Sequence, residues 1–465
     1  MRVAFLHYHL KTGGVTSVIK QQVAALNESC EILVLTGNPA STLLPCQVVE
    51  ISGLDYGPTD TPPVRPKVIA QQILKTLADI WPAGCDVLHI HNPTLAKNRT
   101  LLPCIQLLQS SGIKLFLQIH DFAEDGRPYA YSREAYPSDC HYGVINVRDA
   151  EVLQLAGLSP SGVHLLPNAI QPLPVVKKTF SERFVLYPVR AIRRKNIGEA
   201  LLLSLYLKPG RFLYVTQPPN SPTDIKSYLD WRSFVKNHGL NVRFDMGKKH
   251  DFLALAGAAS TMITTSITEG FGFSFLEPWT AKKMLWGRRL GAICRDFEAN
   301  GLCLGTLYDR VEIPLDWFDS KGFLEAWCAA ALQADEIFGY VKPPGEVRQL
   351  AQSMIHKGVV DFGVLNETYQ RQVLEYLITH PDARQDLAWM TPQLTAPAQD
   401  KEMIEHNHQV VRRHYDPKKY AGRLLAVYQK VVKNSVCHRI DKPSLLDAFF
   451  DLNHFSLLKW GPYGT

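Results

Sequence analysis

Short apolar runs alternate with amphipathic helical stretches along this chain, and the alternation runs through twice. Val3–Tyr8 reads as a buried strand, followed by a loop at Lys11–Gly14 and a helix through Leu26. Ile32–Leu35, Gln47–Ile51, Val87–Ile90, Leu115–Ile119, Val144–Asn146 and Val163–Leu166 continue the first set of strands. Phe184–Val189, Phe212–Thr216, Val242–Phe244, Met262–Thr265 and Ala292–Cys294 form a second set. Strands that alternate with helices predict a parallel sheet covered on both faces. Two such sets predict two doubly wound, Rossmann-like domains, and 465 residues are too many for one core. The proline-rich stretch Pro167–Pro174 suits a linker, which puts the boundary near 170–182. The expected division is 1–178, 179–400 with a helical insertion, and 401–465 as C-terminal helices packing on the domains. Gly57–Pro66 reads as a long loop inside the first domain, and the chain is mostly helical after Trp317.

Composition narrows the function classes. A charged fraction of 20% with 46% apolar residues is that of a folded globular protein. The net charge of +6 is small for this length, and its cations are scattered apart from Arg193–Lys195 and Arg412–Arg413, so no nucleic-acid stripe is present. Nine widely spaced cysteines without a Cys-x-x-Cys pair argue against a disulfide framework and a zinc site, and for a reducing, cytoplasmic setting. No run of 18 apolar residues exists, so no membrane span is expected. Leu445–Trp460 is rich in apolar residues but lacks a basic polar face, and is expected to pack on a domain rather than on a membrane.

The chemistry concentrates at strand ends. Ligands of open α/β sheets bind beyond the carboxyl ends of the strands. The loop after Met262–Thr265 carries Glu269, Gly270, Phe271, Gly272, Phe273 and Glu277. Its glycines allow a tight turn, its amides can bind an anion or sugar hydroxyls, and its two carboxylates can accept bonds from hydroxyl donors. Gly270–Phe275 is not a G-x-G-x-x-G fingerprint, because Phe275 fills the last glycine position. Arg190 and Lys195 bracket the turn after Phe184–Val189, where two fixed cations can neutralise a diphosphate leaving group. Gly13 and Gly14 stand between the first strand and first helix, where small residues let a ligand approach the backbone. His120 and Asp121 end the run Leu115–Ile119, while His7, His9, His89 and His91 also lie near strand ends. Lys97, Asn98, Asp121 and Arg127 are polar loop residues suited to an acidic acceptor.

Taken in order, these pieces resemble family 4 of the retaining GT-B glycosyltransferases. The match rests on Glu269 and Glu277 with seven residues between them, on Gly270-Phe271-Gly272, on Arg190 and Lys195, and on Gly13-Gly14-Val15. It extends to Asp86–Asn92, Val147–Glu151 and Val163–Asn168, and covers about residues 1–310. The resemblance implies two Rossmann-like domains facing an interdomain cleft, with the first on the acceptor side, the second on the donor side, and a helical C-terminal extension. It implies that Arg190 and Lys195 hold the donor diphosphate. Glu269 and the amides of Gly270–Phe273 would hold the donor sugar, and Glu277 the ribose hydroxyls. Gly13 and Gly14 would face the donor phosphates or the acceptor, and His120 the transferred sugar. The co-substrate is a UDP- or GDP-sugar, the acceptor a carbohydrate or polyol, and neither metal nor cofactor is required. Two departures bear on base recognition: Thr216–Asn220 replaces a glycine-rich turn, and Arg288-Arg289-Leu290-Gly291 replaces a Gly-Gly loop.

Three other readings fit parts of this pattern. A GT-B epimerase or phosphorylase would share the fold, and a sugar-nucleotide binding protein would keep the same cations without turnover. A glycoside hydrolase needs two carboxylates that flank one bond, whereas Glu269 and Glu277 belong to one segment.

Overall fold

Each unit of the chain is built on one parallel sheet. The first sheet comprises β1 (Arg2–His7), β2 (Glu31–Thr36), β3 (Gln47–Glu50), β4 (Val87–His91), β5 (Leu115–Gln118), β6 (His141–Val144) and β7 (Val163–Leu165), in the order β3-β2-β1-β4-β5-β6-β7. The second comprises β8 (Arg183–Arg190), β9 (Arg211–Gln217), β10 (Val242–Arg243), β11 (Thr261–Thr264), β12 (Met284–Arg288) and β13 (Leu307–Tyr308), in the order β10-β9-β8-β11-β12-β13. The strand order reverses between β1 and β4 and again between β8 and β11. At such a reversal the loops leave the sheet in opposite directions and open a crevice for a ligand. The computed structural model describes residues 1–39, 43–56, 63–174, 176, 179–339, 342–449 and 460. Among them no helix is long and apolar enough to cross a membrane.

Most of the strand reading holds, with two corrections. Ala292–Cys294 is helical: it lies in the helix Gly291–Ala299, whose Ile293, Cys294 and Phe297 share the buried face. The strand of this region is β12 instead. The expected strand Val144–Asn146 ends earlier, because Asn146 caps the next helix by accepting from the Asp149 amide at 2.8 Å. Of the Gly57–Pro66 loop, 57–62 lie outside the described residues, and Pro66 begins the helix Pro66–Ile80.

The units divide between Ala169 and Ile170, and the chain returns to the first unit at Tyr415. The helix Lys401–His414 therefore belongs to the second unit, and the helices Pro417–Lys433 and Lys442–Phe449 to the first. The returning helix Pro417–Lys433 buries Tyr420, Leu424, Tyr428 and Val431 against Val3, Phe5 and Phe116 of the sheet. A polar network runs through this packing. His89 meets the Tyr428 hydroxyl at 2.8 Å and Gln118 at 3.0 Å, and the Gln22 amide donates to Gln118 and to Tyr420. In the last helix Leu445, Leu446 and Phe449 are buried, and 450–459 of the Leu445–Trp460 stretch lie outside the described residues.

The second unit has a charged core of its own. Arg288, at the end of β12, donates to both Glu199 oxygens at 2.7 and 2.9 Å and to both Asp361 oxygens at 2.8 Å. Tyr308 also donates to Glu199 at 2.8 Å. Arg288, where the resemblance leads one to expect a Gly-Gly loop, is thus buried. Its neighbour Arg289 pairs with Glu298 and Asp309 nearer the surface.

Removing one member of a buried ion network leaves uncompensated charge, whereas a surface pair contributes little. Arg288→Ala is expected to cost about 3–5 kcal/mol in denaturant unfolding. Arg289→Ala should cost about 1 kcal/mol or less. Equal losses would show that the network is not the centre of this unit.

Candidate active site

The β8/β11 reversal in the second unit brings two loops together. After Arg190 the chain makes a 3-10 turn at Arg193–Lys195, passes through Asn196 in the left-handed region (φ 53°), and enters the helix Ile197–Ser204. Asparagine tolerates that conformation better than most residues. Here its side chain is also fixed, donating to Glu199 at 2.6 Å and accepting from Gln370 at 2.9 Å. The loop after β11 is tied directly to this turn. Ile267 N–H donates to the Arg194 carbonyl at 3.0 Å, and the Thr265 hydroxyl donates to the Lys195 carbonyl at 3.0 Å. The buried Tyr187 hydroxyl donates to the same Lys195 carbonyl at 2.6 Å.

These ties set Glu269 between two cations. Lys195 Nζ donates to Oε1, and Arg194 Nη1 donates to Oε2 at 3.0 Å and to the Thr268 carbonyl at 3.1 Å. Burial alone would raise the Glu269 pKa, but Lys195 and Arg194 outweigh it and hold the carboxyl at about 2. Burial and the nearby Arg194 bring Lys195 down to about 8, against the pull of Glu269. Glu277 behaves oppositely. Burial pushes it up to about 7, Lys195 offsets part of this, and the negative Glu269 adds to it. Two carboxyls on one loop thus differ in charge state near neutrality.

The backbone between them turns at Gly272, whose φ is 91°. A Cβ there would come within 2.8 Å of the Phe275 ring and 2.9 Å of Ile293, so only glycine fits. A 3-10 turn at Phe273–Phe275 follows, and Glu277 opens the short helix Glu277–Thr280. Phe271 points into the core beside Phe297, so only its backbone can face a ligand. Gly270 and Phe273 are partly exposed. Arg190 stands apart from this cluster. It donates to the Pro218 carbonyl at 3.4 Å, and among the described residues it has no carboxylate partner.

The first unit places its candidates at the carboxyl ends of β1, β4 and β5. Gly13 is extended at the start of the helix Gly14–Leu26, which has no side-chain cap. A Cβ on Gly13 would meet nothing closer than 3.8 Å, and one on Gly14 nothing within 4 Å, so no internal contact requires glycine at either place. His120 is buried; its backbone N–H donates to Asn92 Oδ1 at 2.7 Å, and its Nε2 lies 2.8 Å from His91 Nδ1. Burial lowers His120 to about 4 and His7 to about 3, so both rings are neutral at physiological pH. Asp121 and Arg127 pair with each other at 3.0 Å, and Arg127 also donates to the Phe122 and Asp125 carbonyls. Asn98 is likewise engaged, donating to the Gly53 and Asp55 carbonyls and accepting from Thr100. Lys97 is exposed, 5.2 Å from the Tyr56 ring centre, and has no ion pair among the described residues.

Sequence reasoning missed Arg194, Tyr187 and Thr265. Arg194 sits in a cationic triplet whose three members look alike in one dimension. The 3-10 turn sends them apart: Arg193 pairs with Glu367, while Arg194 and Lys195 turn to Glu269. The segment 317–400, unassigned from sequence, contributes Asp361, Glu367 and Gln370 as supports of this turn.

No family model matches the chain. It is 23% identical, over 79% of its length and 79% of the relative's, to mannosylglucosyl-3-phosphoglycerate synthase of Petrotoga mobilis. Among solved structures it resembles sucrose-phosphate synthase of Thermosynechococcus elongatus, with a TM-score of 0.53 and 14% identity over 92% of this chain and 98% of that one. It also resembles Anabaena HepE in complex with UDP-glucose, with a TM-score of 0.54 and 13% identity over 92% and 99%. A glycosyltransferase from Rickettsia africae gives a TM-score of 0.54 at 12% identity, over 93% of this chain and 99% of that one. The two Rossmann-like units are those of the GT-B fold.

The state of Glu277 can be read from stability. A carboxyl whose pKa is raised by folding binds its proton more tightly in the native state, so its contribution is complete below about 4.5 and lost as pH rises through about 7. Glu277→Gln keeps the neutral form at every pH. The variant should match the wild type near pH 4.5 and gain relative stability up to pH 8, measured by urea unfolding. Parallel curves would place Glu277 at an ordinary carboxylate pKa.

Proposed function

We propose that this protein is a retaining glycosyltransferase that moves a hexose from a UDP- or GDP-sugar to a hydroxyl of a small polar or acidic acceptor. The observation that carries the reading is Glu269, held ionised by two cations at the strand-order reversal of the second unit, with Glu277 on the same loop. Likeness to a glycosyltransferase fold and to a phosphoglycerate-glycoside synthase supports it.

In this reading the acceptor oxygen attacks the anomeric carbon as the bond from that carbon to the diphosphate oxygen breaks. Attack comes from the face the diphosphate leaves, and the departing phosphate oxygen takes the acceptor proton. Lys195 and Arg190 stabilise the charge that develops on the diphosphate, and fixed cations in a partly dry site are effective at this. Glu269 accepts hydrogen bonds from the donor sugar, and Glu277 from the ribose. Neutral His120 offers a ring nitrogen to the transferred sugar, and Gly13 and Gly14 leave room for a ligand at a helix start. The Petrotoga relative is named for making a glycoside of 3-phosphoglycerate, which supports an acidic acceptor here, with Lys97 as its cation. In this reading Arg190 and Lys195 do the charge-neutralising work that a divalent metal would otherwise do at the diphosphate, so the reaction runs without one. Nine free thiols suit a reducing, cytoplasmic setting.

Mass spectrometry of reactions with UDP- and GDP-sugars and phosphorylated sugar acids should show a hexose added, in excess EDTA. Proton NMR should show an α-linked product from an α-linked donor; a β-linked product would overturn retention. Lys195→Ala should lower kcat by about 10²–10³-fold, as loss of a transition-state charge partner does. Glu277→Ala should instead weaken nucleoside diphosphate binding in calorimetry, because ribose contacts persist through the reaction.

A further inference from the structure

Glu269 has two cationic partners, one on each oxygen, and the proposed reaction calls one of them away. A lysine ammonium is a compact charge on a flexible stem. The Lys195 main chain is pinned by Tyr187 and Thr265, while its Nζ is held only by Glu269 among the described residues. Nζ can therefore swing to a diphosphate. Arg194 is fixed differently. Its carbonyl accepts from Ile267, and the Nη1 that binds Glu269 also donates to the Thr268 carbonyl next to it. The arginine is part of the loop that carries Glu269.

We propose that Arg194 is a positioning residue: it keeps the Glu269 carboxylate ionised and in place to bind the donor sugar after Lys195 has moved to the diphosphate. This rests on the transferase reading above. Glu277 shows what happens to a carboxyl in this pocket without a cation bonded to it, since burial takes it up to about 7. The charged and titratable groups that face Glu269 are Lys195 and Arg194 from the 3-10 turn, Glu277 from the following helix and Tyr187 from β8. With Lys195 occupied, Arg194 is the cation left to oppose burial and the charge of Glu277. Without it, burial and Glu277 would raise the Glu269 carboxyl toward the neutral range, and its protonated form would offer the sugar fewer acceptor sites.

The test is the pH dependence of kcat at saturating donor, which reports groups in the bound complex, for wild type, Arg194→Met and Arg194→Lys. Calorimetry with the nucleoside diphosphate is the second readout. In Arg194→Met the acid limb of kcat should move up to about pH 7, the value Glu277 shows in this pocket, so the ratio of kcat at pH 8.5 to kcat at pH 6 grows about tenfold. Nucleoside diphosphate affinity should stay within about twofold, because that molecule lacks the transferred sugar that Glu269 binds. Arg194→Lys, which keeps the charge, should return the limb most of the way. If the methionine variant does not fold, Arg194→Gln, polar but uncharged, should move the limb in the same direction. An unmoved limb, or a tenfold loss of diphosphate affinity with an unmoved limb, would overturn the role of Arg194 alone and make it, in the second case, a phosphate ligand. Absence of turnover in the wild type would overturn the transferase reading and this proposal with it.

Discussion

Much of the second unit is arranged so that one carboxylate can stay charged where water is scarce. Glu269 lies in a partly dry pocket, and an isolated carboxylate there would take up a proton. Lys195 and Arg194 prevent this only because their turn is held against the loop after β11 by Ile267, Thr265 and Tyr187. Geometry precedes electrostatics here: without those backbone ties the two long cationic side chains would trade this one carboxylate for water.

The supports extend outward in layers. Asn196 leaves the turn in a left-handed conformation and is held by Glu199 and Gln370. Glu199 is in turn held by Arg288 and Tyr308, and Arg288 by Asp361. Arg193 anchors the start of the turn to Glu367 through a bidentate pair at 3.0 Å. The helical region beyond Trp317 thereby buttresses a loop more than a hundred residues earlier in the chain.

The repeating strand and helix pattern made the two parallel sheets legible, because alternation of apolar runs is a local property of the chain. The pair Glu269 and Glu277 was legible as a motif for the same reason. What could not be read was which neighbour each charge chooses. Arg193, Arg194 and Lys195 are consecutive, and only the turn assigns the first to Glu367 and the others to Glu269. Asn98 and Arg127 looked available for a ligand because the carbonyls they bind are invisible in a list of side chains. Ala292–Cys294 looked like a strand because a three-residue apolar run carries no period, and its helical face appears only when Phe297 is included.

The return of the chain at Tyr415 has a consequence for synthesis. The face of the first sheet formed by Val3, Phe5 and Phe116 is completed by Tyr420, Leu424 and Tyr428. A ribosome makes the whole of 170–414 between those two sets of residues. Domains usually mature in the order they are translated, but here the unit begun first cannot close until nearly all of the second has been made. Its apolar face stays unsealed while 170–414 are made, an exposure during elongation that a contiguous domain would not have.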